Sequence, residues 1–538
     1  MRLSRRHLAR TLHLVLAAAV AGALAAPLPA AEAQTPRKGG VLRVAERADP
    51  VGFDTLGQKK AAVYTQLALT FTHSRLFRYT PTGEVVPDVA EKWAQPSPTT
   101  YVITLKKGVL FHNKPPVNGR ELTSEDVKFT FERLAGSPEE RLFPTLKAVT
   151  APDKYTVRFE LSAPASAFIP NLAATTMFIY AREAGKVGPD GARDYTAAET
   201  VVGTGPFMLE EYREKQRLVF KRHPQYFEAG KPYLDGVEVY TIPDASAQLA
   251  ALRSGRIDLI PAGTGQGLAH QMAPEARSIP GAKVLTQRVF QTSENLIGRL
   301  DQKPWSDVRV RRAAALSVDR EGFMKAIYPE GADPLSGPVP LPSKYFIPLD
   351  KLGEPARYYK QDVAAARKLL AEAGFPNGFK ARLNTTPGYG PDYLSRTELL
   401  KDMLGKIGID TSIVVHEYPV WISSVYKGNY EGLTHIPAWT LGDEDEWLGT
   451  YLPGDTRNHI HLEDGKITEL VKGARQARNE ETRAAQIRQF VGAFHDQLYR
   501  VYLPQPVLLT VVHSRVKGYV PTVRGYSYPV SLVGAWIE

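Results

Sequence analysis

The chain has 538 residues, 67 Lys and Arg against 57 Asp and Glu, a formal charge of +10, and no cysteine. The length exceeds what one hydrophobic core can hold, so two or three domains are expected. The missing cysteine excludes disulfides, thiolate metal sites, a Cys nucleophile and a lipid-bearing N-terminal Cys, and the scattered basic residues (Arg309, Arg311 and Arg312 among them) read as solvated helix faces, not a nucleic-acid surface.

Residues 1–33 read as an export leader. Arg2, Arg5, Arg6 and Arg10 form a basic start. Leu12 to Leu24 is an apolar core too short to span a bilayer comfortably. Ala31-Glu32-Ala33 fits small-x-small cleavage, which places the mature start at Gln34. Ser4-Arg5-Arg6-His7-Leu8 resembles a twin-arginine signal, with an ordinary secretory leader as the alternative. Pro27 and Pro29 end the apolar run, which argues against a membrane anchor. About 505 residues then remain, with a charge of about +7 and no long apolar segment, and they read as soluble. Asn384-Thr385-Thr386 is formally a glycosylation sequon, but a bacterial-looking leader removes its meaning.

Gly40 to Ala45 reads as a first strand. Tyr101-Val-Ile-Thr-Leu105 alternates β-formers at period two, as a half-buried strand does. Gly108, Pro115-Pro116 and Gly119 mark a loop. Ser124 is the expected cap of a helix whose first turn carries Glu125 and Asp126 and whose apolar residues are Val127, Phe129, Phe131 and Leu134. Val149 to Leu161 holds two extended runs around Pro152-Asp153. Asp244 to Gly255 is a helix capped by Asp244, with Leu249 and Leu252 facing inward, followed by a strand at Ile257 to Ile260. Asp362 to Ala373, Arg396 to Ile407 and Glu480 to Leu498 are further helices, and Ile409 to His416 a further strand. Helices alternating with short strands argue for α/β layers.

Enzyme signatures are absent: no G-x-S-x-G, H-E-x-x-H, Walker A or complete G-x-G-x-x-G occurs. Gly263-Thr-Gly-Gln-Gly267 lacks a following Lys-Ser/Thr and reads as a loop. His416-Glu417 has no second His four residues on. His459 and His461 read as a solvent-exposed pair, with only Glu463 and Asp464 nearby as further ligands. The most suggestive stretch is Trp439 to Trp447, W-T-L-G-D-E-D-E-W. Rings beside carboxylates suit an amine-bearing ligand, since the ring covers apolar surface and the acid pairs with the ammonium.

The order of residues from Val86 to Leu134, ending in Thr123-x-Glu-Asp-Val-x-Phe-x-Phe-x-x-Leu134, resembles the extracytoplasmic solute-binding proteins of the dipeptide, oligopeptide and nickel ABC-transporter family. Gly203-Thr-Gly-Pro-Phe207 with Val219 to Phe227, Tyr233 to Val237 through Asp258, Asp307 to Ala313 with Asp319-Arg320, and Ala364 to Phe379 resemble it in the same order. The resemblance runs from about residue 38 to the end of the chain. It implies a two-lobed, type II α/β clamp of the periplasmic-binding-protein kind, with an extra inserted domain. Lobe one would comprise 38–72, 203–285 and 505–538, with 73–202 inserted in it, and lobe two would be 286–504. Arg288 to Asn295 and Leu503 to Leu509 are the expected hinges.

The same resemblance implies a monomer in the periplasm that takes up a peptide or similar amine-bearing solute. It implies no enzyme activity, cofactor or metal, and delivery to an ABC permease with its ATPase subunits. A nickel chelate, an opine or an oligosaccharide is the alternative cargo, and a hydrolase using Asp443 and Asp445 a remote one. In the peptide-binding relatives a Trp is followed three residues later by an Asp that holds the ligand's α-amino group. Here Trp439 is followed by Gly442 at that spacing and Asp443 comes one residue late, so Asp443 is the expected ammonium partner. Arg396 lies near a carboxylate-binding Arg of dipeptide binders, whereas Val425 and Ile436 stand where oligopeptide binders place arginines. Tyr418 is expected to line the pocket, and Gln291, Ser293 and Asn295 to offer polar groups to the ligand.

Overall fold

Three β-sheets organise the chain, and in each the sequence pattern shows why. In Thr100–Leu105 the residues Tyr101, Ile103 and Leu105 are buried while Val102 and Thr104 are only partly covered, the period-two alternation of a strand with one packed face. It joins Ala90–Ser97, Thr156–Leu161 and Leu146–Asp153 in a four-stranded antiparallel sheet. The helix Ser124–Leu134 packs on this sheet through Val127, Phe131 and Leu134. Its cap is Thr123, one residue before the expected Ser124. Asp126 reaches back to accept from the Thr123 amide at 2.9 Å, while the buried Ser124 hydroxyl donates to the Asp153 carbonyl.

The second sheet has seven strands, in the order Phe207–Arg213, Arg217–Arg222, Gly236–Thr241, Val41–Glu46, Leu259–Ile260, Leu508–His513 and Ala282–Gln287. Its middle strand Val41–Glu46 pairs in parallel with both neighbours. Leu42 and Val44 on one face are fully buried and Ala45 on the other is buried as well, as expected of a central strand covered on both faces. The third sheet has five strands, in the order Ile409–Val415, Phe379–Thr385, Leu433–Trp439, Thr292–Gly298 and Val501–Tyr502. A separate core surrounds it, built from helices Val308–Ser317, Val363–Glu372, Asp392–Lys406 and Glu480–Gln497.

This computed structural model describes residues 35–57, 63–189, 191–262, 267–290, 292–389, 392–439, 443–524 and 527–538, with backbone alone at 292, 293, 392, 438 and 439. The expected leader, Gln291 and most of the 263–267 loop lie outside these residues. Lys38–Glu538 forms one compact unit. No described helix is long and apolar enough to cross a membrane.

The chain passes twice between the seven-stranded and five-stranded sheets, from Ala282–Gln287 to Thr292–Gly298 and from Val501–Tyr502 to Leu508–His513. Gln505 ties the passages together. Its Nε2 donates to the Val289 carbonyl at 3.0 Å and to the Leu341 carbonyl at 3.1 Å.

Helix caps follow the sequence. Asp244 accepts from the Ala247 amide at 2.7 Å and Asp362 from the Ala365 amide at 2.8 Å. Replacing Asp362 by Ala is expected to cost about 1 kcal/mol, read as a shift of the urea midpoint with unchanged slope. A loss under about 0.3 kcal/mol would mean that water caps this helix equally well. Gly378 closes the segment after that helix at φ +73°, and a Cβ there would lie 1.8 Å from the Gly408 carbonyl oxygen. Only glycine fits that approach.

Candidate functional site

The acidic run that stands out in the sequence begins a short helix, Glu444–Gly449, and Asp443 caps it by accepting from the Asp445 amide at 3.0 Å. All four acids from Asp443 to Glu446 are buried. A carboxylate survives burial only with a partner, and each of these has one. Arg483, from the helix Glu480–Gln497, donates to Asp443. The Ser343 hydroxyl donates to Glu444 at 2.7 Å. Arg475 donates to both oxygens of Asp445 at 3.1 and 3.0 Å. Glu446 takes Arg457 at 2.8 Å and Arg141 at 2.5 Å.

Arg141 comes from the other half of the molecule, on the turn Pro138–Leu142 beside the four-stranded sheet. Its bond to Glu446 therefore spans the two halves. Ser166 adds a second tie, its amide donating to the Arg475 carbonyl at 3.0 Å. Between these contacts lies a cavity of about 260 Å³. Arg141 and Asn171 line one side, and Asp445, Glu446, Arg457 and Arg475 the other.

The charges in the run are unequal. Burial pushes the Asp443 carboxyl up, but the charge and hydrogen bond of Arg483 outweigh it and hold the group below the usual range. Burial, and then repulsion from Asp443, raise Glu444 to about 7. The two acids share a hydrogen bond. At neutral pH Asp443 is ionised while Glu444 is near its midpoint, so the pair carries between one and two negative charges.

The other expected site residues fall around the five-stranded sheet. Arg396 ion-pairs with Glu294 at 3.0 Å, and its guanidinium lies 5.1 Å above the Tyr328 ring. His435 Nε2 lies 3.2 Å from the other Glu294 oxygen. Burial opposes ionisation of Glu294, yet the His435 hydrogen bond and the Arg396 charge together keep its carboxyl below the ordinary value. Asn295 is fully buried on the next position of that strand and donates to the Ile436 carbonyl at 3.4 Å. Tyr418 starts the helix Tyr418–Ser423, is 40% exposed, and stands edge-on to Tyr389 at 5.6 Å. Ser293 and Trp439 are placed by backbone only, paired with Ala438 and Thr292 respectively. Val425 and Ile436 are buried apolar residues.

The structure thus brings the acids after Trp439 to the junction of the halves and sets Arg396 in a separate cluster with Glu294. The arginines that hold the acids, Arg141, Arg457, Arg475 and Arg483, carry no sequence signal of their own. The histidine pair differs from expectation. His459 is 1% exposed, because Tyr426 packs on its ring at 4.5 Å and Tyr430 donates to its carbonyl. His461 is half-buried, its Nε2 3.1 Å from the Gly428 carbonyl oxygen. Among the described residues no cluster of three or more His, Asp or Glu could hold a metal.

Two α/β halves joined by two passages, with a charged cavity at their junction, form the frame of a ligand-binding clamp. A solved periplasmic binding protein from A. tumefaciens R10, AgaA in complex with agropinic acid, superposes with a TM-score of 0.76 at 25% identity, over 93% of this chain and all but a small part of its own. Residues 84–458 match the model of the bacterial extracellular solute-binding proteins, family 5, middle region, and the chain belongs to that family. It is 27% identical over 478 residues to heme-binding protein A of Haemophilus influenzae, covering 84% of this chain and 85% of the relative. It is 27% identical over 467 residues to the dipeptide-binding protein of Escherichia coli K12, covering 82% and 84%.

Proposed function

We propose that the chain is the exported, periplasmic substrate-binding component of an ABC importer. It captures a peptide or a similar small amine-bearing solute between its halves and hands it, unmodified, to a permease with its ATPase subunits. The observation that carries this reading is the cavity at the junction, whose walls come from both halves and meet through Arg141 and Glu446. Similarity to dipeptide-binding proteins supports the peptide.

The mechanism is a population shift. Lobe one (38–72, 203–285 and 505–538, with 73–202 inserted) and lobe two (286–504) part about the passages near Arg288–Asn295 and Leu503–Leu509. A ligand touching both walls favours the closed form. Reversing a strong preference for the open form takes roughly 5 kcal/mol of differential affinity. Asp443 is the ammonium partner. Its support is a carboxylate that Arg483 keeps ionised at the junction. The resemblance also assigns Trp439, Tyr418, Gln291, Ser293, Asn295 and Arg396 to the ligand; of these, Tyr418, Asn295 and Arg396 stand apart from the residues that line the cavity.

Asp443→Asn is expected to weaken binding of the compound that co-purifies with the protein by about tenfold or more, the value of one charge-assisted bond. Native mass spectrometry identifies that compound, calorimetry measures its affinity, and circular dichroism checks the variant's fold. An unchanged affinity removes Asp443 from the site. A second reading keeps the fold and changes the cargo to a non-peptide solute. The agropinic acid complex and the apolar Val425 and Ile436, where oligopeptide binders place arginines, favour it. The mass of the co-purifying compound decides between the two.

A further inference from the structure

In the five-stranded half sits a buried cation with no counter-ion among the described residues. Arg500 precedes the edge strand Val501–Tyr502 and is 1% exposed. Its Nε, Nη1 and Nη2 all lack a hydrogen-bond partner among the described residues. The buried arginines Arg311 and Arg320, by contrast, donate to backbone carbonyls. The Arg500 guanidinium lies 4.8 Å over the Tyr451 ring, which offers a weak partner for the charge and none for its N–H groups. The Tyr451 hydroxyl is turned to the Pro338 carbonyl and the Tyr502 hydroxyl.

His459 is the second orphan. It is 1% exposed, and neither ring nitrogen has a hydrogen-bond partner among the described residues. It lies close enough to Arg500 and Arg457 that burial, and then their charges, hold it neutral. A neutral imidazole keeps one N–H to donate. Tyr426 covers it at 4.5 Å. Two buried side chains, with five nitrogens that have no hydrogen-bond partner among the described residues, therefore stand near one another in this half.

A guanidinium does not shed its proton in a protein, so burial cannot be relieved by neutralisation. An uncompensated buried charge is a large penalty that an anion removes. The flat fork of donors matches a carboxylate bidentately, and a neighbouring imidazole N–H can add a third donor. We propose that Arg500 and His459 form a buried anion site in the second half of the molecule that takes a carboxylate group. The group comes either from a free small acid or from the carboxylate arm of the solute in the cavity. The site involves none of the residues assigned above to the ligand, and the free-acid form of it stands whether or not the cargo is a peptide.

The test exchanges sodium chloride for sodium formate at fixed ionic strength and follows thermal unfolding of the full exported chain. Wild type is expected to gain several degrees, saturably, as a ligand that binds the native state requires. Arg500→Met, which keeps the packing length without the charge, is expected to show no formate response, and His459→Asn a weakened one. Should Arg500→Met fail to fold, Arg500→Lys serves, with at least a tenfold rise in the half-saturating formate concentration because the fork is lost. Equal responses in wild type and the Arg500 variant, or no response in wild type, overturn the proposal. The two sources separate in a second arm with glycylglycine and its C-terminal amide. A shift with the acid alone, lost in the Arg500 variant, assigns the site to the solute's carboxylate. A response to formate only assigns it to a free anion.

Discussion

Arg483→Met is expected to destabilise the protein by roughly 3–5 kcal/mol, the cost of leaving one member of a buried ion pair without the other. Asp443 is 5% exposed, and Arg483 is the cation that donates to it. Without that cation the carboxylate would be left with the Asp445 amide and the hydrogen bond it shares with Glu444. Arg483 also lies 5.7 Å over the Tyr345 ring, so the methionine stem retains part of the packing while the charge goes. Denaturant unfolding followed by tryptophan fluorescence measures the loss. The double variant Arg483→Met/Asp443→Asn should recover part of it, because an amide tolerates burial better than an unpaired carboxylate. A single-variant loss under about 1 kcal/mol would mean that the pair is solvated and that Asp443 needs no internal counter-ion.

Glu444→Gln should stabilise the protein at pH 8 and change little at pH 4. In the folded state burial and the Asp443 charge raise Glu444 to about 7, above the ordinary glutamate value of 4.5. A group raised in this way gives its full contribution below the unfolded value and loses it as pH rises through the folded one. At pH 8 the native protein therefore carries an ionised Glu444 in a site built for the neutral acid, a penalty on the order of 2–3 kcal/mol. Glutamine resembles the protonated acid. Its oxygen can accept from Ser343 as Glu444 does now, and its amide can donate to Asp443. Calorimetric unfolding of both proteins from pH 4 to 9 should give curves that diverge between pH 5 and 8. Parallel curves would place the Glu444 carboxyl in the ordinary range.

Much of the fold can be read from the chain because its signals are local. The alternation in Tyr101–Leu105 and the caps Asp244 and Asp362 need only residues a few positions apart. The family segment Asp307 to Ala313 is likewise a capped helix start, Asp307 accepting from the Arg309 amide at 2.8 Å. The cap at Thr123 shows the limit of local reading, since Ser124 is equally good chemistry and only its burial against Asp153 settles the choice. The site is less legible because its partners are remote. Asp445 and Arg475 are 30 residues apart, Asp443 and Arg483 are 40, and Arg141 and Glu446 are 305. A run of acids after a tryptophan announces charge in the sequence but does not name the arginines that answer it. Burial of His459 is tertiary as well, supplied by Tyr426 and Tyr430.

Gln505 has a mechanical consequence. Two strands of backbone pass between the sheets, and the Gln505 amide group of one bonds the Val289 carbonyl of the other and also the Leu341 carbonyl beyond it. A door hung on two pins swings about the line through them and resists every other torque. An opening that rotates the halves about these passages keeps the Gln505 bond to Val289, whereas one that slides the passages past each other breaks it.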